Sequence, residues 1–496
     1  MTLRVTNTLT GETEPFEPRD PDSVLLYYCG LTTSDPPHLG HARGWAHVDV
    51  MCRWLEWLGY DVRHVENFTD VNEKIVARVG EDGASEADVA RHYVRQVIED
   101  MRSLNLARAE VYPRVSEHVP EIISLVERLV ESGHAYEVDG SVYFDVTSFE
   151  DYGKLSGQFV EDLESQGQDT GEKRNPADFA LWKAGGVAPE DIEEHQHPEA
   201  APAEEACETA QTWESPWGEG RPGWHIECSA MSMAHLDETI DIHVGGQDLV
   251  FPHHENEVAQ SEAATGKQFA DHWLHVRLLE TKGEKMSSSL GNFFTVSDAV
   301  AEFGPDVLRT FLLSTAYTSR ATYSEETIGE AKERWDRLRR GYERAVEACD
   351  DVDAYATVTH EELRDAVDEA RETFEAAMND DFNTREATTA LLDLTGTVNA
   401  YIDDREAYDY VALRQVVETF EEFGGGILGL AFGDAGAGGD VSLADDLVEL
   451  VLRAREDERA AGNYERADEL RDELEALGVE VQDTDEGPTY RLGDGG

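Results

Sequence analysis

The sequence predicts an α/β protein: a doubly wound parallel sheet, interrupted by an insertion and followed by helices. Three observations predict it. "SVLLYYC" (Ser23 to Cys29) and "DVRHVENF" are apolar runs of strand length with a helical pattern between them. A second α/β stretch resumes only near Trp224, and from Glu325 onward the chain reads as mostly helical. Strand, loop, helix, strand is the opening of a doubly wound domain, where ligands collect at the carboxyl ends of strands.

Between the first two strands, "HARGWAHVDVMCRWLEWLGY" sets Trp45, Val48, Met51, Trp54, Leu55 and Leu58 at helical spacing, with Gly59 as its C-cap. From about Tyr112 the pattern changes. "VPEIISLVERLVESGHAY" reads as an amphipathic helix stopped by Gly133, and "YEVDGSVYFDV" as a hairpin turning on Asp139-Gly140. Residues 112–222 therefore read as an insertion between two halves of the α/β domain, 1–111 and 223–292. Within it, 185–210 is rich in Pro, Ala and Glu and poor in apolar residues, which predicts a flexible acidic surface loop. A connecting region, 293–324, leads to helices over 325–431. A Gly-rich break, "FGDAGAGGD", then precedes a last, mainly helical unit within 441–496.

Charge is the strongest compositional signal. The chain carries 105 Asp plus Glu against 41 Lys plus Arg, a formal net charge of -64 spread over every segment. At ordinary ionic strength that field strains a compact fold by self-repulsion. At molar salt the Debye length falls to about 3 Å and the repulsion is screened. A salt-rich cytoplasm is the expected home. Acidity normally argues against nucleic-acid partners, since phosphate affinity comes from cations. Molar salt weakens that exclusion, because little counterion release then remains for any protein. No stretch approaches the run of about 18 apolar residues that a membrane span needs, and the N-terminus does not read as a signal peptide. Five scattered cysteines (Cys29, Cys52, Cys207, Cys228 and Cys349) fit a reducing compartment better than a disulfide framework.

The chemistry concentrates in two short stretches. In "CGLTTSDPPHLGHARGW", His38 and His41 flank Leu39-Gly40 between a strand and a helix. Spacing alone leaves two loop histidines, metal ligands and phosphate handling all open. A Pro-Pro turn, a glycine that admits close approach, and a helix N-terminus behind them favour an anion. The second stretch, "KGEKMSSSLGN" (Lys282 to Asn292), is by itself only a polar loop.

Together the two stretches resemble the paired signatures of class I aminoacyl-tRNA synthetases. His38-Leu39-Gly40-His41 is similar to His-Ile-Gly-His. Lys285-Met286-Ser287-Ser288-Ser289 is similar to Lys-Met-Ser-Lys-Ser, with Ser288 where the second lysine usually helps hold the triphosphate. "RPGWHIECSAM", "DIHVGGQDLVFPHHENEVAQ", "KRNPADFALWK" and the terminal "ADELRDELEALGVEVQDTDEGPTYRL" closely resemble the cysteinyl-tRNA synthetase family. The resemblance implies a Rossmann-like catalytic domain with a connective insertion, a helical bundle, and a small anticodon-binding unit at the end.

It also implies the site. A zinc ion would be held by Cys29, Cys228, His253 and Glu257, of which His253 and Glu257 are i and i+4 on one helix face. His254 and Glu255, adjacent and of the right type, are expected to point elsewhere. Thr69, Trp224 and His243 match pocket residues, although each has a plainer reading as a turn hydroxyl, a core indole and a strand histidine. "GGQD" resembles the class I turn that meets adenosine, giving Gly246 and Asp248 that role beside Gly40 and the Lys285–Ser289 loop. ATP with magnesium, L-cysteine and tRNA(Cys) are the implied partners of a monomeric cytoplasmic enzyme. His38, His41 and Lys285 are its implied catalytic groups. The same signatures and zinc occur in the cysteine ligase of mycothiol synthesis, which lacks the anticodon-binding tail. A catalytically inactive tRNA-binding paralogue is the other alternative.

Overall fold

The structure is a computed structural model. It describes residues 2–160, 173–281, 284–285 and 294–432, and beyond these 451–452, 455, 466–467, 470–471, 474, 479–484 and 487–492. The chain divides into two compact units, Met1–Leu430 and Ala431–Gly496.

The core of the first unit is a four-stranded parallel sheet in the order Ala270–Val276, Ile240–Gly246, Ser23–Tyr28, Asp61–Glu66. The strands from Ile240 and Ala270 bury nearly every residue, as a sheet covered on both faces requires. Helix Leu39–Trp57 connects the first two strands. It buries Trp45, Val48, Met51, Trp54 and Leu55 at the spacing the sequence predicts. The cap differs by one residue: Leu58 caps the helix, and Gly59 follows it in the left-handed region at φ 99°.

The insertion forms its own antiparallel sheet, in the order Ala135–Val138, Ser141–Phe144, Phe179–Ala184, Gly218–Pro222, Trp213–Ser215. Its first hairpin turns through Asp139 (φ 48°) and Gly140 (φ 87°), the paired positive angles that an Asp-Gly turn supplies. Helix Val119–Glu131 packs Ile122, Leu125, Val126 and Leu129 against Val142, Phe144, Phe179 and Trp182.

Residues 185–210 are not the flexible loop expected from composition. They carry two short helices, Pro189–Ile192 and Ala203–Cys207. Val187, Ile192 and Ala206 are buried against Ile75, Val76, Val79, Val89 and Tyr93. A few apolar side chains, correctly placed, are enough to dock an acidic segment.

A small sheet of Glu284–Lys285, Leu279–Thr281 and Ala321–Tyr323 follows the core strands. Helices Val296–Phe303 and Pro305–Leu312 lead to the long helices Glu325–Cys349, Glu361–Asn379, Thr384–Asp403 and Tyr410–Thr419. The second unit holds an antiparallel hairpin, Val479–Thr484 with Gly487–Leu492, which the helical reading of the tail missed. The Gly-rich break lies largely outside the described residues.

Candidate active site

Strands Ser23–Tyr28 and Ile240–Gly246 pair in parallel, Leu26 opposite Ile242, and belong to the two halves of the domain. The chain leaves their carboxyl ends in different directions, opening a crevice at the switch point. There lies a cleft of about 330 Å³, lined by Cys29, His38, His41, Thr69, Trp224, Cys228 and Asp248 among others.

His38 is the N-cap of helix Leu39–Trp57. Its Nδ1 accepts from the backbone N–H of Gly40 at 3.0 Å, and His41 Nδ1 accepts from the His38 N–H at 3.3 Å. The two rings stack, 3.9 Å between centroids and 8° between planes. With Nδ1 accepting in each, the neutral ring carries its proton on Nε2. Gly40 is needed for this arrangement: a Cβ there would lie 2.7 Å from His38 Cε1. The same turn is stitched to the residues just after the Lys285–Asn292 stretch. Leu39 N–H donates to Phe294 O at 3.3 Å, and Val296 N–H to Pro37 O at 2.9 Å. The backbone of Lys285 pairs with Glu280 in the small sheet. Met286, Ser287, Ser288 and Ser289 lie outside the described residues.

Behind the cleft is a buried, electron-rich cluster. Cys29 Sγ lies 3.7 Å from Cys228 Sγ and 3.4 Å from His253 Nε2, and His253 Nε2 lies 3.0 Å from Glu257 Oε1. All four residues are buried. Glu257 Oε1 accepts no hydrogen bond despite that contact, so a carboxylate oxygen is left orphaned near the Cys29 thiol, while Cys228 lies outside the group within 4.8 Å and reaches the cluster through Cys29. The hydrogen bond with Cys29 and burial together push Cys228 well above the usual thiol range. Two sulfurs, an imidazole and an unsatisfied carboxylate oxygen, all desolvated, are a donor set that fits a zinc-class cation.

The two expected decoys divide. Glu255 does point elsewhere: it accepts from the N–H groups of Gly153, Leu155 and Ser156 and anchors the insertion. His254 does not. Its ligand-type atom lies with those of Cys29, His253 and Glu257 in a group all within 4.8 Å, and its Nε2 is 3.9 Å from Glu257 Oε1. Phe251 is extended (φ -138°, ψ 133°), so the chain kinks ahead of helix Glu255–Thr265, and both histidines lie in that kinked entry beside the cluster.

The pocket residues take distinct places. His243 is fully buried, stacked on Trp273 at 4.2 Å, and its Nε2 bonds Glu257 Oε2 at 3.0 Å. It therefore sits behind Glu257. Trp224 is 41% exposed with its ring 4.5 Å from that of His253, so it forms a wall of the cleft and is not a core indole. Thr69 is buried at 2% exposure, and its Oγ1 accepts from Asn67 Nδ2 at 3.3 Å.

Comparison with known proteins follows this geometry. Residues 15–333 match the family described as tRNA synthetases class I (C) catalytic domain. Residues 373–433 match the DALR domain, and 444–491 the cysteinyl-tRNA ligase anticodon binding domain. The cysteine–tRNA ligase of Haloarcula marismortui is 84% identical over 99% of this chain and 100% of its own length. The chain belongs to the cysteine–tRNA ligase family. The Halobacterium salinarum cysteine–tRNA ligase is 65% identical over 99% of this chain and 100% of its own. Likeness of fold alone extends to more distant proteins. A Mycobacterium tuberculosis methionyl-tRNA synthetase with methionyl-adenylate superposes with a TM-score of 0.58 at 16% identity, covering 80% of this chain and 88% of that one.

For this member of the cysteine–tRNA ligases, sequence reasoning missed the residues that support the cluster. Asn67 Oδ1 accepts from Tyr27 Oη and from the Gly30 N–H, both at 2.9 Å, and lies 3.8 Å from Cys228 Sγ. His225 Nδ1 is 2.9 Å from His253 Nδ1. His254 Nδ1 is 2.8 Å from His275 Nε2, whose ring in turn meets Thr8 Oγ1 at 2.7 Å. The available signal was polar residues inside otherwise apolar elements. Among the described residues no helix is long and apolar enough to cross a membrane.

Proposed function

We propose that the chain activates L-cysteine with ATP and esterifies it to the 3′ end of tRNA(Cys), with zinc selecting the amino acid. The observation that carries this reading is one cleft with the stacked signature histidines on its wall and the Cys29–Cys228 pair at its floor.

In the first step a carboxylate oxygen of cysteine attacks the α-phosphorus of ATP in line. The bond to the β-phosphate oxygen breaks, giving cysteinyl-adenylate and pyrophosphate. His38 and His41 act by holding charge as it builds on the phosphate, while Gly40 leaves room for it to approach. Asp248 takes the ribose hydroxyls, beside the Gly246 backbone. Lys285 and the loop through Met286, Ser287, Ser288 and Ser289 hold the triphosphate with its magnesium. In the second step the terminal tRNA hydroxyl attacks the carbonyl carbon, AMP leaves, and the hydroxyl proton passes to solvent.

Cys29, Cys228, His253 and Glu257 are the proposed zinc ligands. A zinc ion held by these residues would supply a thiophilic cation, favouring the thiol of cysteine over the hydroxyl of serine. His243 orients Glu257 from behind, which is the usual part of a hydrogen-bonded neighbour at a metal ligand. Trp224 and Thr69 wall the amino-acid end. The helical region and the terminal unit take the tRNA. The match to an anticodon-binding domain supports a tRNA acceptor over an amino-sugar acceptor. A monomer in a salt-rich cytoplasm completes the reading.

Cysteine-dependent ATP–pyrophosphate exchange in molar KCl, followed by charging of tRNA, tests it. Exchange without charging would point to the amino-sugar ligase. Absence of both would leave an inactive paralogue.

A further inference from the structure

Arg43 stands two residues after His41 and is fully buried. Its guanidinium donates four hydrogen bonds, all to backbone carbonyls: Nε to Arg277 O (3.2 Å), Nη1 to Leu312 O (2.8 Å), and Nη2 to Ala316 O and Ser319 O (both 2.9 Å). Among the described residues it has no carboxylate partner, in a chain with 105 of them. Burial pulls its pKa down to about 10. Arg309, equally buried, shows the alternative, since it pairs with Asp49 at 2.5 Å. A buried cation held only by carbonyls is a poor way to gain stability. It is a good way to fix backbone, because the planar fork demands several acceptors at set angles.

The carbonyls it holds are informative. Arg277 follows strand Ala270–Val276 and leads into Leu279–Thr281, the strand on which the Lys285 backbone pairs. Leu312 ends helix Pro305–Leu312, while Ala316 and Ser319 lie in the turn entering Ala321–Tyr323, the other neighbour of Leu279–Thr281. One side chain on the signature-histidine helix thus grips both sides of the sheet that presents Lys285. The far end of the Lys285 stretch is tied to the same helix start through Pro37, Leu39, Phe294 and Val296.

We infer that Arg43 is a positioning residue for adenylate formation. It sets the spacing between the His38–His41 pair and the Lys285 loop while touching neither ATP nor cysteine. The inference rests on the activation chemistry proposed above. A displacement of about 1 Å between groups that must meet one transition state is enough for a loss near 10²-fold.

The test compares Arg43→Lys, which keeps the charge and loses the fork, with Arg43→Gln, which removes the buried charge and keeps two donors. In both, kcat for cysteine-dependent pyrophosphate exchange should fall about 10²-fold. The KM for cysteine and the zinc content should hold. Transfer to tRNA from adenylate accumulated on the variant should keep its rate, because that step no longer needs the triphosphate loop. Unchanged exchange would overturn the inference, as would equal losses in both steps. Loss of native circular dichroism in both variants would reduce Arg43 to a fold determinant and overturn it too. Wild-type protein lacking cysteine-dependent exchange would instead refute the activation chemistry.

Discussion

Glu86→Gln should be among the most damaging single-atom changes in the molecule. Glu86 is fully buried at the start of helix Glu86–Ser103. Its Oε1 accepts from Arg221 Nη2 at 2.6 Å and the Asn72 N–H at 3.0 Å. Its Oε2 accepts from Arg221 Nη1 at 2.8 Å and the Gln211 N–H at 2.6 Å. Glutamine puts an amide NH₂ where two donors already point, and strips the countercharge from an arginine only 4% exposed. Removing one partner of such a pair costs about 3–5 kcal/mol, set against a total stability of roughly 5–15 kcal/mol. Ionic screening reaches surface charges and hardly touches a pair this deep. The loss should therefore be nearly the same at about 1 M KCl and above it, although overall stability changes with salt. Urea unfolding at two KCl concentrations, followed by circular dichroism, measures it. Arg221 lies three residues before Trp224, so the KM for cysteine should rise as well. A loss under about 1 kcal/mol, or one that fades as KCl rises, would refute the buried-pair argument.

Four further outcomes are expected. Cys228→Ala should lower zinc well below one per chain and abolish cysteine activation while Cys52→Ala does neither; full zinc in the first variant would sink the ligand assignment. His41→Ala should lower kcat for adenylate formation about 10²- to 10³-fold with cysteine binding retained, and a loss of zinc with kcat preserved would return the opening histidines to the metal reading. Burial raises the Glu66 carboxyl to about 8, opposed by the hydrogen bond from Trp45 Nε1, so from the ordinary carboxyl range up to pH 8 the folded state holds a proton that the unfolded state has released. Stability contributed by that proton falls as pH rises through this window, and Glu66→Gln should flatten that part of the stability–pH curve; an unchanged slope would count against it. Dilution from molar to about 0.1 M KCl should unfold and inactivate the enzyme, recoverably on restoring salt, as the Debye length grows from about 3 to 10 Å; an enzyme most active in dilute buffer would remove the explanation of its acidity.

The doubly wound sheet was legible because its strands and connecting helix carry strong periodicity, down to which of Trp45 to Leu55 are buried. The hairpin at Asp139-Gly140 was legible because two positive φ angles in sequence admit few residue types. The cluster was legible only in part. Its ligands were named through the family resemblance and not from spacing, since Cys29 and Cys228 come from segments far apart and only the fold brings their sulfurs to 3.7 Å. His254 was misjudged because regular helical spacing does not apply to it: it caps helix Glu255–Thr265 and follows a kink at the extended Phe251. The 185–210 segment failed for a different reason. Average composition reports how much apolar surface a segment has, not whether Val187, Ile192 and Ala206 coincide with a hydrophobic gap elsewhere. Glu86 and Arg221 carry no local sign of their pairing at all.

The sheet register has a consequence for synthesis. Strand Ser23–Tyr28 is an inner strand, yet the neighbour that covers one of its sides, Ile240–Gly246, is encoded after the whole insertion. At about 5–20 residues per second on the ribosome, Leu26 waits roughly 10–40 s for Ile242 to emerge. Through that interval the nascent chain shows an apolar strand with one unpaired side, the kind of edge that pairs with strangers. The insertion's core is completed late as well, because Ile226, Ala230, Met231 and Ala259 of the second half pack into it beside Val142, Phe144 and Trp182.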